Sequence, residues 1–501
     1  MLEELAASLR RDPERPAILA GTSRGRTVVK ATRGDLAHLA DGYAAALHRR
    51  GLGPGDTVAF AARPGALPLS VMLAARRLGL RVAMIDPTAG PDVVRSRLAL
   101  AEPRLVLADV FAQAVAGWAR PIAARAQLAL PGLSSVGPVV TVGRRYPGCA
   151  PVLTPDWSGG GLPDLSGEDG EAVIVFTSGT TSRPRAVVHT WASLDAGMRA
   201  VRDLVRPGPA SVVLGGTFFV LVPALAAGAS VALPARSARA LARQLGRLKP
   251  RETYLTPPQL RGALAASAGF TGRVWSGSAP VSADLLGRVR RAGAEQAWGI
   301  YALTEMFPVA AVEAADKAAF MIEGMDGDLV GDLVPGVSAG LDAAGQLLLT
   351  GPAAADRYLG DPPSPTIATG DVARLERDGT RLVLSGRLKD MVLRGTQNIY
   401  PGLYEPALHV PGVGLALLVG SPAPDGDERL VAIVEPLPGV DPAALRRALA
   451  VPLGRMGEMR PDAVFFADIP LVGRSRKPDR QAAAHLAARL MDPSVPKRGR
   501  R

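Results

Sequence analysis

The chain has 501 residues, 48% of them hydrophobic and 21% charged, which fits a folded protein of several domains and excludes an intrinsically disordered one. A single cysteine, Cys149, excludes an internal disulfide framework and a cysteine-based zinc site and is compatible with a reducing, cytoplasmic location. The formal charge is +12, with six lysines against 52 arginines; with aromatics at only 4% and the arginines spread along the chain, anionic small substrates explain the sign better than nucleic acid does.

The opening "MLEELAASLRRDPERPAIL" reads as a short amphipathic helix and lacks the positive start and apolar core of a signal peptide. From Arg15 to about Gly170 the pattern alternates. "TVAFAA" (57–62) reads as a strand, 67–80 as a helix, "RVAMID" (81–86) as a strand, 91–102 as a helix and "RLVLAD" (104–109) as a strand. That rhythm predicts a parallel sheet with helices on its faces. A Pro/Gly/Ser/Asp-rich stretch (155–171) reads as a loop or linker, and the rhythm resumes at "AVIVF" (172–176). Residues 207–235 carry no charge, long enough to test as a membrane span. Gly215, Gly216, Pro223 and Gly228 divide the stretch, so strand, helix and strand in a buried α/β core is the better reading and no membrane span is expected.

From about residue 335 short strands such as "GQLLLTG" (345–351) and "RLVLSG" (381–386) suggest a small β subdomain. After Gly386 two strands and two helices suggest an α+β domain of about 105 residues. The last ten residues, "DPSVPKRGRR", are expected to be disordered. The expected fold class is therefore α/β. A large N-terminal domain (1–386) of parallel-type sheets flanked by helices, with a small β subdomain, precedes a small α+β C-terminal domain (387–491) and a basic tail (492–501).

Five stretches carry chemistry. "VFTSGTTSRPRAVVHT" (175–190) places Thr177, Ser178, Gly179, Thr180 and Thr181 before Arg183 and Arg185. Backbone N–H groups in a Gly-containing turn, hydroxyl donors and a cation are what phosphate oxygens require; a plain solvated loop is the competing reading. "YALTEMFP" (301–308) offers an aromatic, a hydroxyl and a carboxylate after an apolar strand. "ATGDVARL" (368–375) sets Asp371 after Gly370 in what reads as a tight turn. "SGRLKDMVLRGTQNIYP" (385–401) has basic residues beside one glycine and a second Gly-containing loop. "PLVGRSRKPDR" (470–480) carries one of the rare lysines, Lys477. Taken alone, Tyr301 reads as core, Asp371 as a turn former and Lys477 as a solvated charge.

In this order and spacing the five stretches resemble the signature motifs of the adenylate-forming (AMP-binding) superfamily, which includes acyl-CoA synthetases, peptide-synthetase adenylation domains and luciferases. The resemblance extends from about residue 15 to 488. It implies an ATP- and Mg2+-dependent enzyme. Thr177, Ser178, Gly179, Thr180 and Thr181 would hold the β- and γ-phosphates, with Arg185 as the cation. Gly277, Ser278 and Ala279, within "SGSAP" (276–280), would flank adenine. Tyr301 would stack on the base, Thr304 would bond the α-phosphate, and Glu305 would coordinate magnesium. Asp371 would accept the ribose hydroxyls beside Arg387. Lys389 would be the hinge of a mobile C-terminal domain, Gly395 would lie in the loop approaching a thiol acceptor, and Lys477 would be the catalytic lysine.

The motifs also depart from the pattern. Ser182 and Ala186 stand where glycine is usual, Arg185 where lysine is usual, and Ala302 and Arg476 again replace glycines. Trp191 stands where histidine is frequent. An added Cβ removes the freedom of glycine, and Arg does not replace Lys at a phosphate without consequence. The retained Glu305, Asp371, Arg387 and Lys477 weigh against a non-catalytic, adenylate-binding remnant. The hinge motif and Gly395 favour an acyl-CoA synthetase with CoA as acceptor. Phe218, Phe219, Leu221 and Val222 are candidates for the wall of a pocket for a fatty or aryl acid, although core packing is the better reading for most of them. Two further readings stand beside it: a β-lactone synthetase, suggested by residues 98–118 and 304–310, and an acyl-AMP ligase loading an acyl carrier protein.

Overall fold

The computed structural model describes residues 1–22, 24–86, 91–125, 128, 130–157, 164–165, 167, 170–176, 186–394, 397–423, 428–473 and 476–492. The alternating segments of the first 190 residues supply six strands of a seven-stranded sheet. Its order is Arg357–Tyr358, Ala186–Thr190, Glu171–Phe176, Arg81–Met84, Thr57–Ala61, Leu105–Ala108 and Val139–Thr141. The strands joined through helices pair in parallel, as crossover connections require. Glu171–Phe176 and Ala186–Thr190 pair antiparallel, with Phe176 opposite Ala186. Val58, Phe60, Val82 and Leu107 are fully or almost fully buried, which accounts for their near-continuous apolar strands.

The uncharged stretch folds as the strand Val212–Leu214, the helix Phe218–Ala226 and the strand Ser230–Leu233. No helix among the described residues is long and apolar enough to cross a membrane. These strands belong to a thirteen-stranded sheet whose parallel half runs from Pro16–Gly21 to Gln296–Tyr301. Beyond Gln296–Tyr301 the same sheet continues antiparallel through Ala310–Glu313, Asp328–Leu333, Arg381–Arg387, Ile367–Glu376, Gln346–Thr350 and Ser338–Leu341. The expected β subdomain is thus hydrogen-bonded edge to edge onto the parallel sheet, because Gln296–Tyr301 accepts Ala310–Glu313 as its neighbour.

The remaining elements form a three-stranded sheet, Val413–Pro422, Glu428–Pro436 and Ala463–Phe466. The helices Pro442–Arg455 and Arg480–Met491 cover it, and Leu418, Leu430, Val434, Leu445 and Leu449 make a core of its own. Two short hairpins accompany it, Val392–Arg394 with Gln397–Ile399 and Leu471–Val472 with Lys477–Pro478. Residues 493–501, all of the expected disordered tail but Asp492, lie outside the described residues.

Candidate active site

Asp371 does not follow a tight turn. It lies inside the strand Ile367–Glu376. Gly370 takes φ 73 where the register against Gln346–Thr350 slips between Gln346 and Leu348. This is a bulge, which re-aims the next side chain. Local hydrogen bonds hold it: Thr369 Oγ1 donates to the Leu347 carbonyl at 2.9 Å, the Gly370 N–H to Gln346 Oε1 at 3.0 Å, and the Asp371 N–H to Thr369 Oγ1 at 3.0 Å. The bulge places the Asp371 carboxylate, 3% exposed, against two partners. The Tyr301 hydroxyl donates to Oδ2 at 2.5 Å. Arg387, directly opposite on the neighbouring strand, pairs its Nε with Oδ1 at 2.7 Å.

Charge and burial set the protonation of this group. Burial, and then the Asp371 carboxylate, hold the Tyr301 phenol well above the ordinary tyrosine range, so it is a donor. Burial works against the Arg387 charge, but Asp371 and Tyr301 outweigh it and raise the guanidinium pKa. Each carboxylate oxygen has room for a second donor. A vicinal diol can therefore still be received at Asp371.

Thr304 and Glu305 follow Gln296–Tyr301 and are fixed from both sides. From the seven-stranded sheet, His189 Nε2 lies 2.8 Å from the Thr304 carbonyl and Nδ1 lies 3.2 Å from Ser193 Oγ. A carbonyl only accepts, so Nε2 carries the proton. Burial lowers the His189 pKa; the Thr304 carbonyl and the Glu305 charge oppose that only in part. From the other side the Ala355 N–H donates to the Glu305 carbonyl at 2.7 Å, and the Tyr358 hydroxyl donates to Glu305 Oε1 at 2.9 Å. Glu305 is a single carboxylate, and among the described residues no group of three or more His, Cys, Asp or Glu is placed to hold a metal. That donor set fits magnesium, which keeps its waters and usually binds through one or two carboxylates plus substrate phosphates.

The expected adenine segment follows the strand Arg273–Ser276. A Cβ on Gly277 would lie 2.9 Å from the Ile300 carbonyl oxygen, so glycine lets this segment approach the strand that ends at Tyr301. Ser278 takes φ 69, and its hydroxyl lies 3.0 Å from the Tyr254 hydroxyl. Ala279 is partly buried. Phe219 meets Tyr254 edge-on at 5.9 Å and Phe307 at 5.6 Å, and Phe307 meets His189 at 6.0 Å. An aromatic wall thus links the adenine segment to the histidine behind Thr304. Of the four candidate wall residues, Leu221 and Val222 are buried in the core, while Phe218 and Phe219 are partly exposed on it.

Lys477 comes from the other lobe. It pairs with Val472 in the short hairpin, and Arg476 before it adopts φ 48. This is the left-handed conformation that the motif's usual glycine takes freely. Three residues on, Arg480 binds Glu405 Oε2 at 2.6 Å, Asp390 Oδ2 at 3.0 Å and the Leu418 carbonyl at 2.9 Å. This ties the lysine's loop to the segment after Arg387. Lys477 is open to solvent, yet surrounding protein desolvates its ammonium. That desolvation and Arg387 lower its pKa, while the charges of Asp371 and Glu305 oppose the shift. Lys389, in the turn Leu388–Asp390, adds a weaker like-charge effect.

Tyr301, Asp371 and Arg387 are thus in contact, and Lys477 senses both Asp371 and Glu305. The expected phosphate-loop residues Thr177, Ser178, Gly179, Thr180, Thr181 and Arg185, together with Arg183, Ser182 and Gly395, lie outside the described residues. Ala186 opens its strand fully buried among Ala83, Ala101, Ile174 and Val188. Ala302 keeps a negative φ, so its Cβ costs the backbone nothing. Trp191 starts the helix Trp191–Val205 and is buried in the core beneath the Arg76 guanidinium. His189, Tyr358 and Arg480 are absent from the sequence-derived site; His189 and Arg480 stand inside two of the quoted stretches, and Tyr358 lies outside all of them.

The model of the AMP-binding enzyme family matches residues 5–359. Indoleacetate–CoA ligase of Aromatoleum aromaticum is 28% identical over 61% of this chain and 66% of its own length, just under two thirds of it. An olefin beta-lactone synthetase of Xanthomonas campestris pv. campestris is 27% identical over 88% of each chain. Among solved structures, the amide bond synthetase McbA from Marinactinospora thermotolerans superposes with a TM-score of 0.76 at 23% identity, over 97% of this chain and 99% of that one. The anthranilate CoA ligase AuaEII in complex with anthranoyl-AMP gives 0.77 at 18% identity, over 97% and 96%. With the family model covering well over half of its length, the chain belongs to the AMP-binding enzymes and is an adenylate-forming ligase.

Proposed function

We propose that the protein activates a hydrophobic carboxylic acid with ATP and transfers the acyl group to CoA. The observation that supports this reading is that Tyr301, Arg387 and Asp371 are joined in the large lobe while the Lys477 ammonium of the small lobe feels the charges of Asp371 and Glu305. In the first half-reaction a carboxylate oxygen attacks the α-phosphorus, the bond from that phosphorus to the bridging oxygen breaks, and pyrophosphate leaves. Two anions must meet, so the site has to neutralise charge and hold the partners in line. The Lys477 ammonium can bridge carboxylate and α-phosphate. Asp371 can accept the two ribose hydroxyls while Tyr301 and Arg387 hold its oxygens. Thr304, with its carbonyl already bound by His189, has its hydroxyl available for the α-phosphate. Glu305 would hold magnesium, which neutralises phosphate charge when bound. In the second half-reaction a CoA thiolate attacks the acyl carbon and AMP departs. Gly395 and a rotation of residues 387–491 about Lys389 belong to that step.

A second reading has an observation in its favour. The olefin beta-lactone synthetase aligns over 88% of each chain, whereas the CoA ligase aligns over 61% and 66%. In that chemistry the 3-hydroxyl of the bound acid attacks its own acyl-adenylate and releases AMP without a thiol. Incubating the protein with ATP, Mg2+ and a panel of hydrophobic acids separates the two. AMP release that requires CoA supports the first reading. AMP release from a 3-hydroxy acid without thiol supports the second. No pyrophosphate from any acid would overturn both.

A further inference from the structure

We propose that Tyr358 is a positioning residue for Glu305: its hydroxyl fixes one oxygen of that carboxylate and leaves the other for a phosphate-bound magnesium ion. The inference rests on the proposed metal-binding role of Glu305. Tyr358 donates to Glu305 Oε1 at 2.9 Å, and both side chains are partly buried. Oε2 accepts no hydrogen bond among the described residues. The same short segment also grips the backbone of Glu305. The Ala355 N–H donates to its carbonyl at 2.7 Å, and Ala354 bridges Met306. One stretch of chain therefore holds the glutamate at both ends.

That stretch is itself anchored to the strand Ala186–Thr190. Tyr358 lies opposite Val187, the Asp356 N–H donates to the Val188 carbonyl at 2.9 Å, and the Leu359 N–H donates to the Ala186 carbonyl at 2.8 Å. Arg357 ion-pairs with Glu171 and Asp356 beside it. The phenol thus relates the carboxylate to the strand that follows the proposed phosphate-binding residues in the chain. A phenol donating to a carboxylate is a charge-assisted bond, and it removes rotamers from a long side chain. If the ring served only to fill space, removal of the hydroxyl alone would have no consequence for a bound cation.

Tyr358→Phe keeps the ring and removes the hydroxyl. The test compares wild type, Tyr358→Phe, Glu305→Gln and the double variant. Mn2+ binding is followed by electron paramagnetic resonance in the presence of α,β-methylene-ATP, and the half-saturating Mg2+ concentration is measured for pyrophosphate release. Tyr358→Phe should weaken cation binding about tenfold, the lower end for a residue that orients a metal ligand. The KM for the acid and the melting temperature should stay near wild type. Added to Glu305→Gln it should do nothing more. The proposal falls if Tyr358→Phe binds Mn2+ as wild type does while Glu305→Gln does not. If Glu305→Gln itself binds Mn2+ normally, the metal role assigned to Glu305 fails, and the proposal fails with it.

Discussion

Asp371 and Lys477 carry charges on which the proposed chemistry depends, and their surroundings differ in kind. Asp371 is buried in the interior of a ten-residue strand, aimed by a bulge, with both oxygens engaged. Lys477 is exposed on a two-residue strand. It is anchored through Arg480 and meets the large lobe through charge. On the proposed mechanism Asp371 receives the ribose in every nucleotide-bound state, and a rigid carboxylate suits that. On the same proposed mechanism the lysine serves one half-reaction, and a mount that can leave suits that.

The largest expected effect breaks the exposed member. Lys477→Ala should lower pyrophosphate release by about a hundredfold or more, the range for losing one charged donor to a transition state. ATP affinity by calorimetry should stay close to wild type. Adenylation at the normal rate would remove Lys477 from the mechanism and, with it, the contrast between the two sites.

Asp371→Asn breaks the rigid member. A neutral amide keeps the shape and one accepting oxygen, so the net loss is about that of one charge-assisted bond, about 1.5–3 kcal/mol. ATP binding should weaken about ten- to a hundredfold, and discrimination between ATP and 2′-deoxy-ATP should collapse. Fold stability should fall far less, because Arg387 is half exposed and water can replace its partner. Loss of the fold without any change in nucleotide preference would make Asp371 a structural residue.

His189 sharpens the comparison, since it sets how rigidly the large lobe presents Thr304. Its folded pKa lies below the ordinary value because it is buried. As pH falls through about 6.5, the unfolded chain takes up a proton that the native state refuses. Stability is therefore lost as pH falls from that value towards the lowered native one. The slope from this residue is at most about 1.4 kcal/mol per pH unit. His189→Gln should remove that share. Denaturant midpoints at pH 7.5 and 5.5 should move closer together than in wild type, and unchanged spacing would show that His189 titrates alike in both states.

Much of this was legible in the sequence. Segments such as 57–62, 91–102 and 212–233 form the expected elements because period and punctuation agree there. Tyr301, Asp371 and Arg387, singled out from separate motifs, are in contact, and Lys477 feels the Asp371 charge. What sequence could not supply was non-local. Gly370 looked like a turn because a glycine at positive φ serves equally in a turn and a bulge, and only the partner strand decides. Core packing was expected for most of Phe218, Phe219, Leu221 and Val222, but apolar composition does not say which of them face the core; the helix buries Leu221 and Val222. His189 and Tyr358 matter through hydrogen bonds to residues 115 and 53 positions away, which no local pattern encodes.

The smallest expected effect concerns Arg476, where glycine is usual and the backbone takes φ 48. A left-handed residue other than glycine costs about 1–2 kcal/mol, and glycine returns about 0.5–1 kcal/mol of that as unfolded-state entropy. Arg476→Gly should therefore tighten the hairpin by about 0.5–1 kcal/mol. Amide exchange near Val472 and Lys477 should slow about two- to fivefold, with pyrophosphate release within about twofold of wild type. The Arg476 N–H already closes the turn onto the Gly473 carbonyl at 3.0 Å, and glycine preserves that bond. A clear fall in adenylation would mean that the guanidinium contributes to the site. A rise in protection with slower adenylation would mean that a strained, readily released mount is what the lysine requires.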